Sequence, residues 1–250
     1  MSATREEADA FLKTGEFESA IAAYDRVIKL EPNDAFSIFN RANAKEQLEL
    51  WDEAYDDYEL LVKLQQNQVL ARLGRGRCLF GMEKYEYVVL DMNTVLIAEP
   101  ENLEALDLRG RSYTKLGKNN QAISDLNKVI MQDPENVYAL ISRGAAFARG
   151  DLGSYAIQDF DKALTIQPNL PVAHFNKGMV FFVYENYDAA VESFDKTLIQ
   201  NPEYVEAYSR RGMAKIQSKW FSREQACLDF KKGDDLNDPL ATEYISKYCK

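Results

Sequence analysis

The sequence has little of what most catalytic and metal sites need. It contains one histidine, His174, and three cysteines, Cys78, Cys227 and Cys249, with no Cys-x-x-Cys spacing. A histidine-based metal site or a Ser-His-Asp triad would therefore depend on His174 alone, and packing is the preferred interpretation of this residue. An odd number of scattered cysteines predicts neither a disulfide framework nor a zinc site, so reducing surroundings are the simpler assumption.

Long hydrophobic runs are also absent. The longest, from Met179 to Tyr184, has six residues, far below the roughly 18 that a membrane-spanning helix needs. Arg5, Glu6 and Glu7 stand where a signal peptide would have an apolar stretch. We therefore expect no membrane insertion and a cytoplasmic location, although a signal peptide removed before Met1 would leave no trace here.

The net charge of -10 excludes a further class of function. An acidic protein repels nucleic acid and anionic membrane, so we expect no nucleic-acid partner. Basic, neutral and apolar partners remain open.

What the sequence does have is a repeat of 34 residues. Small residues recur at this spacing at Ala8, Ala42, Gly76, Gly110, Gly144, Gly178 and Gly212. A second small series is Ala20, Ala54, Val88, Ala122, Ala156 and Ala190, and a bulky series is Tyr24, Tyr58, Met92, Leu126, Phe160 and Phe194. Both series resume, at Ala226 and Phe230, if two residues are inserted after Trp220. Small residues at two fixed points predict two helices that cross closely, with the bulky residue beside the crossing.

These series predict an all-α chain of seven helix-turn-helix repeats. Their ranges are 1–34, 35–68, 69–102, 103–136, 137–170, 171–204 and 205–239. Asp34, Asn102 and Asn136 are candidate caps of the following helices. A terminal helix over 240–250 is expected to cover the last repeat with Tyr244, Ile245 and Tyr248. No linker interrupts the count, so we predict one domain over 1–250.

The best-formed repeat, Leu103 to Asn136, carries the resemblance to a known family. In order it has a small residue, an aromatic, a Leu-Gly pair, a second small residue, a bulky residue and a proline: Gly110, Tyr113, Leu116, Gly117, Ala122, Leu126 and Pro134. This pattern resembles a tetratricopeptide repeat. The resemblance implies a right-handed α-solenoid superhelix whose first helices line a concave groove that binds peptides or protein segments. The ending, from Ala226 to Cys249, resembles the closing repeat of many bacterial members, which favours a bacterial source.

An Arg series precedes the small residues, and an Asp series matches it in the second helices. Arg occurs only in the repeats that have Asp, and this co-occurrence predicts five ion pairs. They are Arg41–Asp57, Arg75–Asp91, Arg109–Asp125, Arg143–Asp159 and Arg211–Asp229.

The repeat register also predicts which side chains face the groove. They are apolar and aromatic to an unusual degree, with several amides and arginines: Phe36, Phe39, Asn40, Asn43, Leu70, Leu73, Arg77, Phe80, Arg111, Tyr138, Phe175, Asn176, Met179 and Arg210. Such a surface is typical of a peptide-binding site. The alternative is that these side chains pack between adjacent first helices.

Family members that hold the acidic tail of heat-shock chaperones use a clamp of lysines, asparagines and an arginine. Arg5 with Asn40, and Asn176 with Arg210, fall on clamp positions, but no window of three repeats completes the set. We therefore expect an apolar or basic partner rather than such a tail.

The third repeat differs from the others, because its first helix holds Gly74, Gly76 and Gly81. Each glycine costs about 1 kcal/mol within a helix. These glycines suggest a soft joint or a deepened groove that a ligand backbone approaches at Gly74 and Gly81, whereas neutral drift explains them equally well.

No enzymatic motif is complete. Gly117-Lys118 is followed by Asn119, where a phosphate loop requires Ser or Thr. We therefore predict a non-enzymatic interaction scaffold without cofactor or metal. The alternative function is a structural module that forms homo-oligomers through the groove or the terminal helix.

Overall fold

The protein is built from α-helices. A computed structural model describes residues 2–65 and 68–249 and shows fifteen helices and no strand in those ranges. In chain order the helices are α1 (Ser2–Thr14), α2 (Phe17–Leu30), α3 (Ala35–Gln47), α4 (Trp51–Lys63), α5 (Gln68–Gly81), α6 (Tyr85–Ala98), α7 (Leu103–Lys115), α8 (Asn119–Gln132), α9 (Val137–Arg149), α10 (Gly153–Ile166), α11 (Pro171–Val183), α12 (Tyr187–Gln200), α13 (Val205–Gln217), α14 (Arg223–Asp235) and α15 (Pro239–Tyr248). The predicted all-α repeat class is confirmed.

The helices fall into two compact units, Met1–Val129 and Ile130–Lys250, whose boundary lies inside α8. In the N-terminal unit α1 packs on α2, α3 on α4 and α5 on α6, and the first helices α1, α3, α5 and α7 contact one another in turn. In the C-terminal unit α9 packs on α10, α11 on α12 and α13 on α14, and α9, α11, α13 and α15 form the corresponding row. Successive second helices, such as α4 and α6, do not come this close. The outer side of each unit is therefore more open than its inner side.

The helix crossings explain the small-residue series. A Cβ atom added at Gly110 would lie 2.7 Å from Leu126 Cγ, and one added at Gly144 would lie 2.7 Å from Phe160 Cε1. The bulky residues of the series, from Tyr24 and Tyr58 to Phe194 and Phe230, are fully buried. The predicted crossings are confirmed, and they form the core of each repeat.

The ladder of Arg and Asp is confirmed in all five repeats. Arg109 donates from Nε and Nη2 to the carboxylate of Asp125 at 2.7 and 2.8 Å, and Arg143 does the same to Asp159 at 2.8 and 2.6 Å. Arg41–Asp57, Arg75–Asp91 and Arg211–Asp229 have the same geometry. Several of these arginines also reach the preceding repeat, as Arg109 does at Asn93 (2.8 Å). The ladder therefore ties neighbouring repeats together.

The turns between the two helices of a repeat share one backbone conformation. One residue with positive φ recurs every 34 residues, at Gly15, Glu49, Glu83, Gly117, Asp151 and Glu185. The left-handed region favours glycine, yet only two of the six positions have it. In the last repeat the turn covers 218–222, two residues longer than the turn at 116–118, which confirms the predicted insertion.

Two of the three predicted caps are formed. Asn102 accepts from the amide of Ala105, and Asn136 from that of Ala139, each at 3.0 Å. Asp34 makes no such bond and instead binds Arg5 at 2.8 Å, so the prediction for Asp34 is wrong. An ion pair with Arg5 of α1 has replaced the cap.

The terminal helix α15 covers the last repeat as expected. The rings of Tyr244 and Tyr248 lie 5.3 and 6.3 Å from that of Phe230. The expectation about the cysteines, in contrast, is wrong. Cys227 and Cys249 form a disulfide across 22 residues, with their Cα atoms 5.7 Å apart. Cys227 lies in α14 and Cys249 directly follows α15, and the packing of these two helices brings the sulfur atoms together.

Candidate binding site

In the N-terminal unit, the predicted groove residues mostly bind one another. The ring of Phe39 meets that of Tyr58 edge-on at 5.8 Å, and the Tyr58 hydroxyl donates to Asn43 at 2.5 Å. Arg77 binds Glu46 at 2.5 Å and reaches Glu104 through its other end. Glu46 binds Tyr58 as well, at 3.0 Å. Arg77 therefore holds three successive repeats together, whereas Phe39 and Asn43 bind Tyr58 of their own repeat.

The same holds for the next part of this inner surface. The guanidinium of Arg111 lies 4.6 Å from the centre of the Phe80 ring and binds Asp107 at 3.2 Å. Leu73 is buried, and Asn40 interacts with the hydroxyl of Tyr24. Phe36 and Leu70 are the exposed members of the predicted set in this unit.

The glycines of the third repeat make room for side chains of the protein itself. A Cβ atom at Gly74 would lie 2.3 Å from the ring of Tyr58, and one at Gly81 would lie 2.7 Å from that of Trp51. The idea that a ligand backbone approaches Gly74 and Gly81 is therefore wrong, because two aromatic rings already fill the space. The soft joint stays a prediction.

In the C-terminal unit, the first helices α9 and α11 enclose a hollow of about 490 Å³, which we call the inner hollow. It falls within the range of about 300–1,000 Å³ that is usual for ligand sites. Three predicted groove residues line it: Phe175, Asn176 and Met179. The rest of its lining is Ala145, Ala148, Arg149, Asp151, Phe160, Val180, Val183 and Tyr184.

Two alanines explain why the hollow lies here. Ala145 occupies the repeat position of Asn43, Arg77 and Arg111, and Ala148 occupies that of Phe80. In the N-terminal unit those larger side chains fill the corresponding space through the contacts described above. In α9 a methyl group leaves it open, so that Phe175 and Met179 border an empty volume.

The polar groups of the inner hollow are few, and they differ in availability. Tyr184 accepts from the amide of Gly153 at 3.1 Å and donates to the carbonyl of Asp151 at 3.0 Å, so its ring forms a fixed wall. The half-buried amide of Asn176 makes no hydrogen bond with any residue in the described ranges. It is therefore free to bind a polar group of a ligand, such as a peptide bond.

Phe175, which lines the hollow, packs against two further aromatic rings. The ring of Phe175 lies 5.6 Å from that of Phe194 and 4.8 Å from that of Tyr204. Burial raises the pKa of Tyr204 to about 12, and nearby Glu206 acts in the same direction. The phenol therefore stays neutral at physiological pH and adds no charge to this side of the unit.

The remaining predicted residues of this unit lie outside the lining. Tyr138 is 67% exposed, near the start of α9. Arg210 is half-buried, and its Nε atom is buried without a hydrogen-bond partner in the described structure. Sequence reasoning therefore identified Phe175, Asn176 and Met179 but missed Ala148, Val183 and Tyr184. Small residues at positions that are large in other repeats were the available signal.

The groups suited to catalysis are isolated. His174 is half-buried, its Nε2 atom lies 3.4 Å from the carbonyl of Pro168, and burial lowers its pKa. Cys78 is unbonded and buried, and burial raises the pKa of its thiol to about 12. Within 2–65 and 68–249, no three His, Cys, Asp or Glu side chains are grouped as metal ligands would be.

The repeats match known sequence families. Residues 8–49 match a model described as TPR repeat, and residues 108–171 match one described as Tetratricopeptide repeat. Together with the fifteen described helices, these matches show that the chain is a tetratricopeptide repeat protein. Proteins of this class are generally non-enzymatic interaction scaffolds. The bacterial source stays a prediction.

Solved structures with the same fold include a tetratricopeptide repeat protein from Parabacteroides merdae. It is 20% identical, with a TM-score of 0.74 over 100% of this chain and 98% of that one. MamA protein is 25% identical, with a TM-score of 0.58 over 72% of this chain and 95% of that one. YrrB, described as a TPR protein with an unusual peptide-binding site, is 22% identical, with a TM-score of 0.58 over 74% and 95%. No curated protein matches the sequence.

None of the helices in the described part of the chain combines the length and the apolar character that crossing a membrane requires.

Proposed function

We propose that this protein is a non-enzymatic scaffold that binds a protein segment through the inner hollow between α9 and α11. The observation that carries the proposal is the open apolar volume of about 490 Å³ beside the unpaired amide of Asn176. An apolar side chain of the partner enters between Ala145, Ala148 and Met179. Asn176 binds the partner's backbone and fixes its direction.

The chemistry of the lining supports an apolar anchor. Most of the lining is aliphatic or aromatic, with Arg149 and Asp151 as its charged members, and a buried aromatic or aliphatic side chain is the usual centre of such an interface. An acidic chaperone tail fits less well, because the lysines of that clamp have no counterpart here. The wider row of groove residues predicted from the sequence, including Tyr138 and Arg210, remains a proposal for the partner's flanking contacts.

The test is to fill the hollow and measure peptide binding. Ala148→Phe copies the residue that α5 has at this repeat position, Phe80. A peptide array selects ligands of the wild-type protein, and calorimetry then compares both proteins. We expect ligands with a shared apolar anchor and a loss of at least about tenfold in affinity for the variant, or about 1.4 kcal/mol.

The control is Ala98→Phe, at the exposed end of α6 in the other unit, which we expect to leave affinity unchanged. Thermal unfolding of Ala148→Phe checks that the variant stays folded. Equal affinity of wild type and Ala148→Phe for the peptides would show that the inner hollow is not the binding site.

Self-association through the terminal helix is the alternative function, and the structure offers it little apolar surface. Tyr244 and Tyr248 pack on Phe230 instead of standing free. Light scattering over a range of concentrations tests it, and we expect a constant monomer mass.

The cytoplasmic location stays a prediction. The disulfide between Cys227 and Cys249 bears on it, since such bonds persist mainly in oxidising compartments. Alkylation of intact source cells, followed by mass spectrometry of residues 223–249, shows whether the bond exists there.

A further inference from the structure

Helix α6 has an outer face with more exposed apolar residues than the outer faces of its neighbours α4 and α8. Tyr87, Leu90 and Ile97 lie on its outward side and are 61%, 61% and 83% exposed. They are spaced three and seven residues apart, so they form one stripe along the helix. The opposite side of α6 is buried in the repeat. A surface helix normally carries polar residues on its outer side, so this stripe needs an explanation.

The repeat register shows that Tyr87 and Leu90 distinguish α6 from its neighbours, whereas the position of Ile97 is also apolar in α8, where Met131 is 76% exposed. At the position of Tyr87, α4 has Glu53 and α8 has Gln121. At the position of Leu90, α4 has Asp56 and α8 has Ser124. The repeat fold does not require apolar residues at these positions, because the neighbouring repeats fold with polar ones.

A hollow of about 530 Å³ lies beside the stripe, between α4 and α6. Its apolar walls are Tyr55, Leu79, Tyr87 and Leu90. Of its charged groups, Arg75 binds both Asp91 and Glu59, whereas the exposed Lys84 has no carboxylate partner in the described structure. A ligand therefore meets apolar walls, the paired Arg75, Asp91 and Glu59, and the exposed ammonium group of Lys84.

The outer side of α4 is acidic next to this recess. Asp52, Glu53 and Asp56 are exposed, and none of them has an ion pair in the described part of the structure. Lys63, on the same helix, is bound to Glu59 at 3.2 Å, so it does not neutralise them. The surface thus joins an apolar stripe to a row of unpaired carboxylates.

We propose that this outer surface of the N-terminal unit docks an amphipathic helix with a basic flank. Apolar side chains of the partner helix, spaced three or four residues apart, pack on Tyr87 and Leu90 and enter the recess. Lysines or arginines on its flank meet Asp52, Glu53 and Asp56. The site is separate from the inner hollow and does not depend on it.

Charge selects this occupant over two others. A second copy of the chain would bring its own stripe together with the same carboxylates, and like charges would face each other. An anionic membrane is repelled for the same reason. An amphipathic helix with a basic flank can pack on the apolar stripe and pair with the carboxylates at the same time.

The test uses labelled model peptides of about 15 residues, a length at which helices become stable enough to form on binding. One has Leu and Lys in a helical amphipathic pattern, one has the same residues in shuffled order, and one has Glu in place of Lys. Fluorescence anisotropy at about 0.15 M salt measures binding. We expect the patterned Leu/Lys peptide to bind at least about tenfold more tightly than the other two.

Two variants separate the apolar and the acidic halves. Tyr87→Gln with Leu90→Ser copies α8 at these positions, and we expect affinity to fall about tenfold or more. Glu53→Gln with Asp56→Asn should weaken binding several-fold and reduce its dependence on salt. Circular dichroism checks that each variant stays folded.

The matched controls are Gln121→Ala with Ser124→Ala, at the same positions of α8, and Glu192→Gln, which removes one charge from α12 at the position of Asp56. Both should leave affinity unchanged. Ala148→Phe, which fills the inner hollow, should also have no effect. Because Ala148→Phe blocks only the inner hollow, this control tests the outer surface separately from the function proposed above.

Four results would overturn the proposal. The first two are equal binding of the patterned and control peptides, and unchanged affinity in Tyr87→Gln with Leu90→Ser. The other two are loss of peptide binding in Ala148→Phe, and a dimer in sedimentation that the Tyr87 and Leu90 substitutions dissociate. The last would assign the surface to a second copy of this chain.

Discussion

The arginines of the ladder bind a nearly buried carboxylate, and four of them also bind a polar group of the preceding repeat: Arg41, Arg75, Arg109 and Arg211. In the pair of Arg109 and Asp125, the side chains are 20% and 8% exposed. Removing one partner leaves the other charge poorly solvated, and this usually costs more than the pair itself contributes. The sixth repeat does without the pair and has Lys177 and Ser193 instead.

We predict that Asp125→Ser lowers the free energy of unfolding by about 3 kcal/mol. Urea denaturation followed by circular dichroism measures this change. The control is the double variant Arg109→Lys with Asp125→Ser, which copies the sixth repeat and should regain about half of the loss. If the double variant is less stable than Asp125→Ser, the unpaired charge of Arg109 is not the cause of the lost stability.

Asp107 contributes a pH dependence of the opposite sign to that of most carboxylates. Burial raises its pKa, and Arg111 counteracts this only in part. One carboxylate oxygen is buried without a hydrogen bond in the described structure. The folded state therefore holds the proton more tightly than the unfolded state, and this contribution to stability is lost as pH rises through the folded pKa.

We predict that wild type loses stability relative to Asp107→Asn as pH rises from acid towards neutral. Denaturation midpoints of both proteins, measured over this range, test the sign. A constant difference across the range would show that Asp107 titrates as a solvent-exposed carboxylate does.

Among the structural elements, the turns within the repeats carry avoidable strain. Glu83 has φ 58° at the position where Gly117 has φ 70°. A left-handed residue other than glycine costs about 1–2 kcal/mol, offset in part by the lower chain entropy that a side chain gives the unfolded state.

We therefore predict that Glu83→Gly stabilises the protein by about 0.5–1 kcal/mol. Gly117→Ala should destabilise it by about 1 kcal/mol. Glu86→Gly, inside α6, serves as the control. It should also destabilise the protein by about 1 kcal/mol, because glycine has a low helical propensity. Urea denaturation measures all three.

The terminal helix α15 depends on its disulfide. The bond joins Cys249, just after α15, to Cys227 in α14. A closed loop of about 20 residues is worth roughly 3 kcal/mol in the chain-entropy model. α15 is the last element of the row, so it contacts α13 and α14 but has no repeat beyond it among the described residues.

We predict that Cys227→Ser speeds hydrogen exchange in residues 239–249 about tenfold or more, while α9 to α12 change little. Cys78→Ser is the control, since this thiol is buried and unbonded. Equal exchange in wild type and Cys227→Ser would show that the tyrosines alone hold α15.

For the whole molecule, the open question is cooperativity. The sequence predicts one continuous domain, whereas the structure divides into two compact units with the boundary inside α8. In repeat proteins the free energy of unfolding is nearly the sum of the stabilities of the single repeats and of the interfaces between neighbouring repeats. A fragment that ends after α8 should therefore retain most of its own contacts.

We predict that residues 1–136 form a helical fragment with a cooperative urea transition, at lower stability than the full chain. Circular dichroism and two-dimensional NMR of the fragment test this. An unfolded fragment would favour one indivisible domain, as the sequence reading has it.

The sequence alone determined the helices, their crossings and the ion pairs. Residues equivalent to Gly110, Leu126 and Arg109 recur at a fixed spacing because every repeat makes the same contacts between its two helices. Periodicity therefore reveals them without coordinates. The third-repeat glycines were harder to interpret, since their neighbours Tyr58 and Trp51 come from the preceding repeat.

The tertiary structure alone decided where a ligand has room. Asn43, Arg77 and Ala145 occupy one position of the repeat, yet the first two are held by neighbours and the third borders a hollow. Likewise, only the packing of α14 and α15 joins Cys227 to Cys249. Repeated contacts leave a mark in the sequence, whereas empty volume and distant pairings depend on side chains from several helices at once.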